Sequence, residues 1–229
     1  MYWKSDELDI LEGILERIKH ELEPLHQKDI LVLCSNEGDV VFRLAEGSSG
    51  TGMIIGLELN ENKLKRSRKK AKKKGIENKV RFAKPKIDRL AYPNETFDAI
   101  VSEFIVYPAT EITKIGQPEM ARVLKRGGKI VQTEVIVKKE IDEDTKRALQ
   151  EIGVEYVCES SKDNFRRWMS NAGFVNIKID DISKMIRPIW KKRDDGEKKG
   201  YEILLDHPEL KIGDGILYLF MSAEKSELS

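Results

Sequence analysis

The sequence predicts an α/β fold built on a doubly wound, mostly parallel sheet. Apolar runs of strand length alternate along the chain with segments of helical period, and this alternation is typical of parallel strands joined by crossover helices. The runs "DILV" and "MIIGL" are almost continuously apolar, as expected for strands that helices cover on both faces. Both observations indicate the same fold class.

The first half of the chain supplies five of the predicted strands. It opens with a helix over 5–22, where apolar residues recur at helical spacing and acidic residues precede Lys19 and His20, as the helix dipole favours. The predicted strands then lie at 29–34, 51–59, 79–84, 97–106 and 128–137, and the predicted helices at 38–47, 60–75 and 118–128.

The second half is more polar until its final strand. Helices are predicted at 138–153 and at 161–174, the latter stopped by Gly173, followed by strands at 175–182 and 215–223. The intervening segment is interrupted by Pro188, Gly196, Gly200 and Pro208, which indicates an irregular or partly helical insert. We predict one domain over 1–229, with a lid or interface insert at 184–212.

Composition excludes some function classes. The 41 basic and 40 acidic residues leave a net charge of +1, so no long-range field directs the whole molecule to nucleic acid or membrane. The N-terminal stretch is charged, no apolar run has the length of a membrane span, and Cys34 and Cys158 are the two cysteines. We therefore expect no secretion signal, no membrane association and a cytoplasmic location.

Three segments carry a family resemblance. They are "NETFDAIVSEFIVYPATEITKIGQPEMARVLKRGGKIVQTE" at 94–134, "GLEL" at 56–59 and "NFRRWMSNAGF" at 164–174. In this order they resemble the class I S-adenosylmethionine-dependent methyltransferases, especially the ubiquinone and menaquinone biosynthesis group and its type 11-like members. The resemblance implies a Rossmann-like, seven-stranded sheet with a final antiparallel strand, and S-adenosyl-L-methionine as the cofactor.

The resemblance also implies a cofactor site at the ends of the first four strands. Independently of it, a carboxylate at the tip of the second strand is suited to accept both hydroxyls of a ribose, although an exposed strand-end acid would look the same. The candidate cofactor residues are Cys34, Ser35, Asn36 and Gly38 in the first loop, Glu58 and Leu59 in the second, Lys86 and Ile87 in the third, and Ser102 on the fourth strand.

The first loop departs from the family pattern. Where D-x-G-x-G-x-G is expected, the corresponding residues are Val32, Cys34, Asn36 and Gly38. Asn tolerates left-handed backbone geometry and Cys is small, so we expect a loop that follows the same path as the family's but is tighter. We expect it to bind the cofactor more weakly. Lys86 stands where the family has an acid that accepts from adenine, and lysine accepts no hydrogen bond; Asp88 is the alternative.

No catalytic residue is evident, and methyl transfer to a nucleophilic acceptor needs mainly proximity and orientation. Glu103 and Tyr107, beyond the fourth strand, are the candidates; Glu103 would act as a base if burial raised its pKa, or would cap the strand or pair with a lysine. The stretch "SEFIVYP" lacks the signature of amino-methyltransferases. The three histidines are far apart in sequence, so no metal site is predicted.

The helix at 62–74 carries nine basic residues in thirteen positions. One interpretation is an electrostatic surface for RNA; the other is a solvated face compensated by acids elsewhere, which the near-neutral net charge favours. Cys34, near a helix start, is either a reactive thiol or a small residue that fills the loop.

The sequence therefore predicts an S-adenosylmethionine-dependent methyltransferase that acts on an unidentified small-molecule acceptor. One alternative is a catalytically degenerate, methyltransferase-like binding or partner subunit, with a protein partner or a second copy of the chain. Another is an RNA methyltransferase that uses the basic helix 63–74, and nucleic acid is not the favoured partner.

Overall fold

The computed structural model describes residues 5–33, 35, 37–50, 52–86, 89–103, 116–151, 158–194 and 210–228. Strands and helices alternate within these ranges as the sequence predicts. The strands are β1 (Ile30–Leu33), β2 (Ile54–Leu57), β3 (Val80–Ala83), β4 (Phe97–Glu103), β5 (Leu124–Val137), β6 (Cys158–Glu159), β7 (Phe174–Asp181) and β8 (Ile216–Lys225). The helices are α1 (Ser5–Leu22), α2 (Asp39–Gly47), α3 (Glu61–Lys74), α4 (Gln117–Val123), α5 (Glu143–Glu151), α6 (Lys162–Asn171) and α7 (Ser183–Asp194).

All eight strands belong to one sheet, in the order β3-β2-β1-β4-β5-β8-β7, with the two-residue β6 paired to β5. The pairs from β3 to β5 are parallel, whereas β8 is antiparallel to both β5 and β7. The chain runs outward from β1 to β3 and then crosses to β4 on the other side of β1. This reversal is the switch point at which doubly wound sheets bind ligands, at the carboxyl ends of the strands. The predicted fold class and the final antiparallel strand are confirmed.

Two apolar layers cover the sheet. The α2 face packs against α1, α2, α3 and α7 through residues such as Ile18, Val41 and Ile186. The α4 face packs against α4 and α6 through residues such as Met120 and Met169. Since both faces are covered, β1, β4 and β5 have no solvent side, which explains their largely continuous apolar sequences.

The structure differs from the predicted elements in several places: α5 begins at Glu143 and not at 138, and β6 was not predicted. The helix predicted over 118–128 ends at Val123, because Leu124 already pairs with Phe97 of β4. Gly127 has the expected left-handed backbone, with φ of 67°, but it lies in an irregular stretch of β5, where the register shifts, and not at the end of the helix.

The insert predicted at 184–212 is partly helical. Its first part is α7, which continues through Pro188, and Ile186 is buried on the α2 face together with Leu210 and Ile212. Residues 195–209 lie outside the described ranges. The role of the insert as a lid or an interface stays a prediction. In the part of the chain that is described, no helix has the length and apolar character needed to cross a bilayer.

Candidate active site

The loop after β1 is fixed to the end of β2. The backbone N–H of Ser35 donates to the carbonyl of Leu57 at 2.8 Å, and the N–H of Gly38 donates back to the carbonyl of Ser35 at 2.7 Å. Gly38 then caps α2, and its carbonyl accepts from the N–H of Phe42 at 2.8 Å. The Ser35 side chain is buried, and its Oγ has no hydrogen-bond partner among the described residues. The described residues of the predicted cofactor loop, Ser35, Glu37 and Gly38, thus lie between β1 and α2 at the switch point.

Gly38 is required by the fold itself. Its φ of 91° is left-handed, and a Cβ atom at this position would lie 2.8 Å from ring atoms of both Phe42 and Phe82. These two rings contact each other at a centroid distance of 5.5 Å. From the sequence, Gly38 is a candidate cofactor residue, and glycine in such a loop allows close approach of a ligand and a positive φ. The structure adds a second reason, since the two aromatic rings occupy the space that any side chain would need.

Glu58 follows β2 directly and is 7% exposed. Its backbone N–H donates to the carbonyl of Ala83, which aligns the ends of β2 and β3. One carboxylate oxygen, Oε1, accepts from the N–H of Asn60 at 2.8 Å, and Asn60 in turn caps α3. Among the described residues, none donates to the second oxygen. Glu58 is therefore a carboxylate held by its own turn at the carboxyl edge, with one oxygen left for a ligand.

The remaining predicted site residues fall into two groups. Leu59 is partly exposed after Glu58, Lys86 is exposed after β3, and Ser102 is buried near the end of β4, where it pairs with Leu33 of β1. Cys34, Asn36, Ile87, Asp88 and Tyr107 lie outside the described residues, and so does the side chain of Glu103, the last residue of β4. The structure thus brings Ser35, Gly38, Glu58 and Ser102 to one edge of the sheet.

Two polar residues of β5 were missed by the sequence analysis. Gln132 and Glu134 are 2% and 1% exposed. Gln132 is the register partner of Ser102 and accepts from the side-chain amide of Gln117 at 2.8 Å. The sequence could have indicated them, because polar side chains in a central strand that helices cover on both faces do not reach water. Polar residues two apart in such a strand must be buried.

Burial controls the ionisation of this region. Desolvation raises the pKa of Glu134 well above its ordinary value of 4.5. The thiol of Cys158, on the adjacent β6, has its pKa raised to about 12 by burial and by the nearby Glu134 carboxyl. Burial thus favours the neutral form of both groups.

The basic helix is α3, and several of its cations have partners. Arg66 and Lys70 each contact Glu37 at 2.8 Å, and the hydrogen bond from Lys70 lowers the pKa of Glu37. Arg68 donates twice to the carbonyl of Phe82. These contacts join α3 to the first loop and to β3. They support the interpretation of a partly compensated helix face. Within the described ranges, no group of three or more His, Cys, Asp or Glu side chains is arranged to hold a metal ion.

A mostly parallel sheet with this strand order and a carboxylate after its second strand is the architecture of the class I methyltransferases. Residues 12–157 match the model of the ubiE/COQ5 methyltransferase family. The chain therefore belongs to the ubiE/COQ5 methyltransferase family, whose cofactor is S-adenosylmethionine, and the predicted resemblance and cofactor are confirmed.

Curated relatives agree with this assignment. The chain is 26% identical to 27-O-demethylrifamycin SV methyltransferase of Amycolatopsis mediterranei, over 83% of this chain and 71% of the relative. It is 26% identical to the ubiquinone/menaquinone biosynthesis C-methyltransferase UbiE of Shewanella halifaxensis, over 71% and 72%. It is 32% identical to demethylmenaquinone methyltransferase of Bacteroides fragilis, over 50% and 46%.

Solved structures share the fold at low identity. A geranyl diphosphate methyltransferase in complex with S-adenosylmethionine superposes with a TM-score of 0.75 at 16% identity, covering 93% of this chain and 84% of the other. The [4+2]-cyclase SpnF superposes with a TM-score of 0.74 at 18% identity, covering 98% and 86%. Since one of these proteins is named a cyclase, the fold alone does not define the reaction.

Proposed function

We propose that this protein is an active methyltransferase that transfers a methyl group from S-adenosylmethionine to a small-molecule acceptor. The observation that carries the proposal is Glu58, a carboxylate fixed by Asn60 at the carboxyl end of β2 with one oxygen free, beside the loop that follows β1. A small-molecule acceptor is supported by the relatives, which are named for quinone biosynthesis and for a rifamycin. We retain the cytoplasm as the proposed location.

The described residues fit the ribose of the cofactor. Glu58 would accept from the ribose hydroxyls, and the unpartnered Oγ of Ser35 is a buried polar group in the adjoining loop. Lys86 offers no acceptor for the adenine amino group. When bound, S-adenosylmethionine supplies a methyl group activated on a sulfonium. The protein holds and orients the two reactants and excludes water from them.

Binding of S-adenosylhomocysteine tests the proposal. We expect measurable heat when the purified protein is titrated with this ligand by calorimetry, and an affinity about 10- to 100-fold lower for Glu58→Gln, since hydrogen bonds to a charged group contribute about 1.5–3 kcal/mol. The glutamine keeps an oxygen for the Asn60 N–H, so the turn survives. Absence of heat at high micromolar ligand would contradict the proposed methyltransferase activity and favour the alternative of a catalytically degenerate partner subunit.

A matched control is available on the same turn. Glu61 begins α3, is exposed and pairs with Lys84 at 3.1 Å, where the Lys84 hydrogen bond lowers its pKa. Glu61→Gln removes a negative charge close to Glu58 without touching the β2 end. We expect its affinity for S-adenosylhomocysteine to match that of the wild type. Equal losses in both variants would mean that the ligand responds to local charge and not to the Glu58 carboxylate.

A further inference from the structure

One helix contacts both loops of the candidate cofactor site. At its start, Asn60 caps α3 and donates its backbone N–H to Glu58, the carboxylate after β2. In its middle, Arg66 and Lys70 contact Glu37 in the loop after β1. The two loops follow neighbouring strands, since β1 pairs with β2. The helix α3 therefore fixes the position of one loop relative to the other.

The Glu37 carboxylate is shared between two cations. Nε of Arg66 donates to its Oε1 at 2.8 Å, and Nζ of Lys70 donates to its Oε2 at 2.8 Å. Arg66 and Lys70 are four residues apart on α3 and so lie on one face of the helix. We call Glu37, Arg66 and Lys70 the ionic clamp. Because each carboxylate oxygen has its own donor, the Glu37 side chain is held at two points and not at one.

The helix that carries the two cations is itself fixed to the sheet. Leu64 and Ala71 of α3 are buried on the α2 face. Arg68 donates to the carbonyl of Phe82 on β3 at 2.9 and 3.0 Å. An ionic contact positions a loop only when its other end does not move, and these contacts meet that condition for α3.

Side chains replace two glycines in the loop that the clamp contacts. By the family pattern, glycine is expected where this chain has Cys34 and Asn36. Side chains at these positions leave less room for a ligand, so the loop tolerates less displacement before it blocks the site. Glu37 stands between Asn36 and Gly38, so a shift of Glu37 moves the backbone of both candidate cofactor residues. Holding such a loop in place before the ligand arrives lowers the cost of binding.

We propose that the ionic clamp positions the loop after β1 for binding S-adenosylmethionine, and that it makes the affinity for the cofactor depend on ionic strength. The inference rests on the proposed methyltransferase function and adds positioning residues to that same site. Glu37 acts through the loop, because Arg66 and Lys70 occupy both oxygens of its carboxylate. Exposed ion pairs contribute little to the stability of a fold, so the effect is sought in cofactor affinity. Two basic residues of α3 then have a role that requires no polyanion.

Calorimetry with S-adenosylhomocysteine at low and high salt tests the clamp in the full-length protein. This ligand carries one ammonium and one carboxylate group and no net charge, so salt acts mainly on the protein. Raising the ionic strength from about 0.01 M to about 1 M shortens the Debye length from about 30 Å to about 3 Å. We expect the wild type to lose affinity about three- to tenfold over this range.

Glu37→Gln should remove this salt dependence. The amide keeps the size of the side chain but has no charge to screen, so its affinity should be about three- to tenfold below that of the wild type at low salt and should change by less than about twofold with salt. A wild-type affinity that does not depend on salt, or an equal salt dependence in both proteins, would overturn the clamp.

Glu46 is the matched control on the same pair of helices. It lies in the last turn of α2 and pairs with Lys74 of α3 at 3.2 Å and with Arg43 at 3.5 Å. Glu46→Gln removes the same charge and a contact with α3, but away from the loop after β1. Its affinity and salt dependence should match those of the wild type. A loss as large as that of Glu37→Gln would mean that the ligand responds to the total charge around α3, which contradicts the clamp.

Substitution of the two cations should reproduce the effect of Glu37→Gln. Arg66→Gln combined with Lys70→Gln should weaken binding as much as Glu37→Gln does. The three substitutions together should weaken it no further, because all of them remove the same contacts. Additive losses would mean that the residues act independently, and the clamp would be overturned.

Amide hydrogen exchange tests the positioning of the loop without any ligand. The N–H of Gly38 donates to the carbonyl of Ser35 at 2.7 Å. Its protection factor should fall at least about threefold in Glu37→Gln and stay unchanged in Glu46→Gln, because only the first variant frees the loop. Equal protection in Glu37→Gln and the wild type would contradict the positioning role.

The two proposals fail separately. Absence of heat when the wild type is titrated with S-adenosylhomocysteine would overturn the proposed methyltransferase. Heat with the wild type, together with equal affinity and equal salt dependence in Glu37→Gln, would overturn the clamp and leave the methyltransferase standing. Binding that depends on salt through Glu37 supports both.

Discussion

Replacing Gly38 with alanine should lower the free energy of unfolding by about 3 kcal/mol. Part of the loss is the left-handed backbone at φ of 91°, which costs a residue with a Cβ atom about 1 kcal/mol. The larger part is steric, because the new Cβ would lie 2.8 Å from ring atoms of both Phe42 and Phe82, and overpacking a filled core costs about 1–3 kcal/mol. Denaturant unfolding measures the sum, and we expect the thermal midpoint to fall by about 6–12 °C.

Gly75 separates the two contributions. It ends α3 with φ of 67°, and nothing lies within 4 Å of where its Cβ would be. Gly75→Ala should therefore cost about 1 kcal/mol, the backbone part alone. If Gly38→Ala were no more destabilising than Gly75→Ala, the two rings would have to move aside freely, and the loop after β1 would be less constrained than the structure indicates.

Most of the fold could be predicted from the sequence, because the spacing of apolar residues indicates which positions are buried. The strands from β1 to β4 begin and end within a few residues of the apolar runs, and α1 has the predicted bounds. The end of α4 could not be predicted, because the local sequence is compatible both with Leu124 in a helix and with Leu124 in a strand that pairs with Phe97. Long-range pairing decides that boundary. The continuation of α7 through Pro188 has the same origin, as burial of Ile186 outweighs the local signal of proline.

The candidate site was predictable only in part. Glu58 and Gly38 were located because a residue at a strand end has a fixed place in a doubly wound sheet. The contact of Gly38 with Phe82 was not predictable, since β3 lies more than forty residues further along the chain. Gln132 and Glu134 were passed over because alternate polar residues usually indicate a solvent-exposed face. Their burial becomes evident only once β5 is placed in the centre of the sheet, covered on both sides.

Replacing Glu134 with glutamine should make the stability of the protein depend less steeply on pH. Burial raises the pKa of Glu134 above 4.5, so the folded state holds its proton more tightly than the unfolded state. The stabilisation from this difference is complete below about pH 4.5 and is lost as the pH rises to the folded-state pKa. Over that window the wild type should lose about 1.4 kcal/mol per pH unit relative to Glu134→Gln. Denaturant unfolding of both proteins at a series of pH values measures the difference.

Glu119, on the same face of the sheet, should give the opposite pH dependence of stability. The hydrogen bond from Arg122 lowers the pKa of Glu119, so its stabilisation is present at neutral pH and is lost as the pH falls through the folded-state pKa. The deficit of Glu119→Gln should therefore shrink towards acid pH, whereas the advantage of Glu134→Gln grows towards alkaline pH. The pH at which the stability advantage of Glu134→Gln over the wild type stops rising is the pKa of Glu134 in the folded protein. If the difference in stability between the two proteins does not change with pH, burial does not penalise the charged form of Glu134, and the carboxyl group need not stay neutral in the folded protein.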